Sequence, residues 1–97
     1  MSISIKICHK TLTKLLKSHG LKGKIIHKSN DGFLMEISKD NEKYKIEVCN
    51  YKDKFWAGIF KEVEHPIYEI VAEAGCIVGN IDEINEFIEG FIISLFL

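Results

Sequence analysis

From Lys22 to Glu62 the apolar residues recur at every second position and are interrupted only by clusters of turn-forming residues. That pattern commits this part of the chain to short strands, because side chains at i, i+2 and i+4 share one face of a strand but scatter around a helix. The spacing predicts strands over Gly23–Ser29, 33–39, 43–51 and 54–62, separated by Asn30-Asp31-Gly32, Asp40-Asn41-Glu42 and Lys52-Asp53. Phe33, Met35 and Ile37 line one face of the second strand; Tyr44, Ile46 and Val48 oppose Lys45, Glu47 and Cys49 in the third. In the fourth, Phe55, Ala57 and Ile59 alternate with Trp56, Gly58 and Phe60, so both faces are apolar. Such a strand is expected to lie centrally or beneath helices. Connections this short join neighbours, which makes an antiparallel meander.

The flanks change period. Ile5, Cys8, Leu12, Leu15, Leu16 and His19 fall on one face of a helix over residues 4–19, with Lys6, Lys10, Lys14 and Lys17 opposite. The alternation of Ile3, Ile5 and Ile7 also fits a short strand before a helix from Thr11, but the long helix accounts for more positions. Gly20 is placed to end it in the left-handed conformation, with Leu21 packing back. Residues 65–75 read both ways. Ile67, Ile70, Val71 and Ala74 have helical spacing after Pro66, whereas Tyr68, Ile70 and Ala72 alternate; a fifth strand is the narrower preference. At the C-terminal end Asn80 caps a helix over residues 81–96, with Glu83 at its third position and Ile81, Ile84, Ile88, Phe91 and Leu95 as its apolar stripe. Phe87, Ile92 and Ile93 widen that stripe, which suits deep burial or a seam between subunits. The expected fold is α+β: a four- to five-stranded antiparallel meander sheet packed against N-terminal and C-terminal helices. At 97 residues, 46% of them hydrophobic, residues 1–97 form one domain.

The formal charge of -1 conceals a polar distribution. Residues 1–28 carry seven lysines and no acid, residues 29–61 six charges of each sign, and residues 62–97 eight acids and no lysine. Two arrangements are open: the charged ends lie side by side and neutralise each other, or one of them is offered to a partner. All thirteen basic residues are lysine, so no guanidinium is available for bidentate recognition of phosphate or guanine. No leader is evident, and the apolar end of the chain is far shorter than the about 20 residues a membrane span needs. Three dispersed cysteines (Cys8, Cys49 and Cys76) fit a reducing compartment, so a cytoplasmic location is expected.

Catalytic patterns find little support. Cys8, His9, His19, His27, Cys49, His65 and Cys76 show no metal-ligand spacing, so no metal and no cofactor are expected. Cys76 with His65 can be drawn as a nucleophile and base, but any three Cys and four His permit some such drawing, and the acids of the last third read as a solvated face. Gly20-x-x-Gly23 lacks the strand and helix start of a phosphate loop. These readings lead to a non-enzymatic interaction protein, an inhibitor or modulator of another protein. Antitoxins, immunity proteins and anti-CRISPR inhibitors share its size and charge. The expected contact surface is Glu62, Glu64, Glu69, Glu73, Asp82, Glu83, Glu86 and Glu89, meeting a protein with a basic surface. The alternative is nucleic-acid binding through Lys6, Lys10, Lys14 and Lys17, and a homodimer joining the two charged ends is a third arrangement.

Overall fold

The computed structural model describes residues 3–51, 54–77 and 81–96. Helix α1 (Ile3–Ser18) is followed by strands β1 (Gly23–Ser29), β2 (Gly32–Lys39), β3 (Glu42–Tyr51), β4 (Lys54–Glu64) and β5 (Ile67–Ile77), and then by helix α2 (Ile81–Phe96). The strands form one antiparallel sheet in the order β1-β2-β3-β4-β5, the meander that short connections require. The ambiguous stretch resolves as the fifth strand from Ile67 onward, and β4 runs two residues further than its alternation suggests. The expected turn at Lys52-Asp53 and the cap at Asn80 lie outside the described residues, as do the side chains of Ile81, Ile84, Phe91 and Leu95.

Local chemistry explains the boundaries. Gly20 sits at φ 73°; its N–H donates to the Lys17 carbonyl at 3.1 Å and the Leu21 N–H reaches back to Leu16 at 2.8 Å. The last carbonyls of α1 are satisfied in this way, and Leu21 folds onto the core as expected. The β2–β3 hairpin turns through Asp40 and Asn41 at φ 53° and 65°, the geometry whose twist matches the strands it joins. His65-Pro66, with a cis peptide bond, forms the turn between β4 and β5.

One core cluster holds the layers together. Ile5, Cys8, Leu12 and Leu16 of α1 bury against Phe33, Met35 and Ile37 of β2, Ile46 and Val48 of β3, and Phe55, Ala57 and Ile59 of β4. These strand residues occupy one face because their registers coincide: Met35 opposes Ile46, which opposes Ile59. His19, expected on the apolar face, is exposed, because the helix has already ended beneath it. Helix α1 lies over β2 and β3, and α2 packs mainly along α1. Ile88 and Ile92 of α2 join the cluster, and Phe87 meets Phe55 edge to face at 6.2 Å.

The opposite face of the sheet carries none of the described helices, so of the two arrangements expected for β4 the structure shows the central one. It is an interior strand, yet its second apolar face is not covered by a helix. Instead Trp56 lies flat over Gly58: a methyl group added there would come within 2.5 Å of the indole Cη2. The indole N–H donates to Glu73 Oε2 on β5 at 3.3 Å.

Three stability outcomes follow. Ile46→Ala should cost about 2–5 kcal/mol in urea denaturation, and Ile70→Ala, half exposed on β5, no more than about 0.5 kcal/mol. Gly58→Val should lift Trp56 off the sheet, red-shifting the fluorescence of the only tryptophan and costing about 1–3 kcal/mol.

Candidate interaction surface

The core buries no polar or charged residue among those described, so any recognition takes place at the surface. The two charged thirds of the sequence come together in the helix layer. Lys6, Lys10, Lys14 and Lys17 are all exposed along α1, and Asp82, Glu83, Glu86 and Glu89 are exposed on the neighbouring α2. Thr11, Lys14, Leu15 and Ser18 face Asn85 and Glu89 across a shallow groove of about 430 Å³. Within it, the Thr11 hydroxyl donates to Asn85 Oδ1 at 2.6 Å. The fields of α1 and α2 oppose each other at this seam and weaken beyond it.

The other four acids stand elsewhere. Glu62 and Glu64 end β4, and Glu69 and Glu73 lie along β5, so the eight acids do not form one surface. In the β4–β5 register, Glu73 shares the helix-free face with Trp56 and Phe60, while Glu69 stands opposite Lys61 on the other face. Lys61 is itself drawn to Glu42 at 3.1 Å. Around these acids, four aliphatic side chains are about half exposed: Val63 at 51%, Ile67 at 55%, Ile70 at 50% and Val71 at 49%. By the same register Ile70 stands on the helix-free face and Ile67 on the other, so exposed aliphatic side chains and acids line both faces of the hairpin, the mixture of a protein contact rather than of a solvated rim.

The doublet Ile70-Val71 explains why the sequence was ambiguous here. Ile59 pairs with Ala72 and Phe60 with Ile70, leaving Val71 as a bulge. The extra residue breaks the period of two and imitates the i, i+3, i+4 spacing of a helix. Ile25-Ile26 does the same in β1, where the register shifts between Ile25 and His27. An aliphatic doublet inside an otherwise alternating run was the signal available for both bulges.

At the hairpin end, Glu62 and Tyr68 face each other across the strands. The Tyr68 hydroxyl holds the Glu62 carboxyl below the usual carboxylate range; burial opposes this, and His65 and Lys43 add to it. Burial, and then Glu62 and Glu36, push the Tyr68 hydroxyl up to about 12. Lys45 Nζ sits 4.1 Å above the Tyr68 ring, which fixes the ring against β3.

Other candidate groups are dispersed. His65 lies in the turn before β5 and Cys76 near the far end of that strand, roughly 30 Å away at the rise of an extended chain, so they make no nucleophile and base pair. The Cys76 side chain lies outside the described residues. Cys8 is buried, and burial together with Glu47 pushes the Cys49 thiol up, the opposite of activation. His9 packs edge to face on Phe33 at 5.3 Å; burial, then Lys28, lowers its pKa. Gly20 closes a helix C-terminus, where carbonyls rather than N–H groups point outward, so it offers no phosphate cradle. Among the described residues no three His, Cys, Asp or Glu converge as metal ligands, and no helix is long and apolar enough to cross a membrane.

The folded-state value of Tyr68 lies above that of an unfolded tyrosine, so its contribution to stability is complete below about pH 10 and is lost as pH rises towards about 12. Tyr68→Phe should remove the latest phase of an ultraviolet tyrosine titration. The same substitution should return the Glu62 carboxyl towards its ordinary value in an NMR titration.

No known protein family, curated protein or solved structure matches the chain.

Proposed function

We propose that the chain is a non-enzymatic interaction protein that docks on another protein through the β4–β5 hairpin, as an inhibitor or modulator of that partner would. The observation that carries this reading is the run of half-exposed Val63, Ile67, Ile70 and Val71 along the hairpin, set among Glu64, Glu69 and Glu73. Docking removes aliphatic surface from water, which supplies affinity, while the acids select a partner with a basic rim and speed the encounter. The acids of α2 are the weaker half of the expected surface, because the lysines of α1 stand beside them. By the same reasoning α2 weakens the alternative, nucleic-acid binding by Lys6, Lys10, Lys14 and Lys17.

Three tagged proteins separate these readings: the wild type, a hairpin variant (Glu64→Lys, Glu69→Lys, Ile67→Ser) and a helix variant (Glu83→Lys, Glu86→Lys, Glu89→Lys). Wild type and helix variant should retain the same stoichiometric protein from a lysate of the source cells, and the hairpin variant should lose it with its thermal unfolding unchanged. Retention by the hairpin variant would overturn the assignment. Recovery of nucleic acid alone, released by salt and abolished by exchanging the four α1 lysines for Glu, would transfer the function to α1.

A further inference from the structure

We infer that the outward edge of β5 receives an extended strand of the partner, one that carries basic side chains on both of its faces among aliphatic ones. The inference rests on the hairpin reading above and specifies how that surface is used.

A strand at the border of a sheet presents a row of unpaired N–H and C=O groups, and proteins blunt such edges with lysine, proline, bulges or short length. The two borders of this sheet differ in that respect. β1 has seven residues, carries Lys24 and Lys28, and is bulged at Ile26. β5 is likewise bulged, at Val71, but has eleven residues, IYEIVAEAGCI, with no lysine or proline. Among the described residues no strand lies beyond it. Its exposed aliphatics Ile67, Ile70 and Val71 continue the apolar surface to the border itself.

Charge selects the occupant. Neither Glu69 nor Glu73 belongs to an ion pair among the described residues. The bulge at Val71 puts them on opposite faces of β5, Glu69 in register with Lys61 and Glu73 with Gly58. An incoming strand is therefore met by a carboxylate on each face, and basic residues on both of its faces answer them. A second copy fits less well. Pairing β5 with β5 gathers four carboxylates at one seam. Pairing with the basic β1 while keeping the helices on one side requires the weaker parallel ladder, across the bulge at Ile26. Backbone hydrogen bonds would give the bound strand its affinity and the alternating side chains its specificity.

The test uses the full chain, isotopically labelled, and a capped synthetic peptide of about ten residues built on the repeat Lys-Lys-Val-Val, which puts Lys and Val on both of its faces. Binding should slow amide exchange in β5 and leave β1 unchanged. N-methylation along both edges of the peptide, or the pair Glu69→Lys and Glu73→Lys in the protein, should each weaken binding about tenfold or more. Val71→Lys, at an exposed position, gives a second variant with the same expected loss. Equal binding of the N-methylated peptide, equal binding of a Glu/Val peptide, unperturbed β5 amides, or a β5-paired homodimer in sedimentation would each overturn strand addition. If β5 amides stay unchanged while the hairpin variant still loses its cellular partner, protein binding stands and only this mode of it falls.

Discussion

A five-stranded sheet has two faces, and the helices of this protein cover one of them. Aliphatic side chains from α1, β2, β3 and β4 fill the covered side as one cluster, which α2 completes by leaning on α1 and reaching the sheet through Phe87. The uncovered side has to be stable in water while keeping strand-forming residues, and it achieves this with side chains that lie across the sheet. Trp56 spreads over Gly58 and ties itself to Glu73; Lys45 covers the Tyr68 ring. Lys24, Glu36 and Lys45 stand in one cross-strand row of alternating sign. Opposite charges in neighbouring strands favour this pairing over a slipped register.

The same constraint ranks the surfaces available to a partner. On the helix side the basic and acidic thirds of the chain neighbour each other, so the field of each is partly cancelled by the other. Among the described residues, only the hairpin end of β4 and β5 combines exposed aliphatic area with acids that no adjacent helix offsets. The interaction proposed for this chain is placed there because burial of apolar area and uncancelled charge coincide. The acidic residues grouped together in the sequence are divided between two places in the fold.

Much of the architecture was legible from residue order. The alternation of Phe33, Met35 and Ile37 and of Tyr44, Ile46 and Val48 identified the face that became the core. Gly20 announced the end of α1, and Asp40-Asn41 the tight hairpin turn. Residues 65–75 were harder, because the bulge at Val71 converts an alternating pattern into one that a helix shares. The candidate surface was half legible: its acids were visible as residues, but exposure of Val63, Ile67, Ile70 and Val71 was not. An aliphatic residue in a strand reads as core until the extent of the covering layer is known.

The sequence by itself determined the order of β1 to β4, the turns that join β1, β2 and β3, and which face of β2 and β3 would be buried, since these depend on neighbours only a few residues apart and on the period of the side chains. Tertiary structure decided which charges meet and which edge stays open. Those outcomes depend on where α1 and α2 settle over the sheet, and residues as distant as Thr11 and Asn85 are brought together only by burial of the whole core.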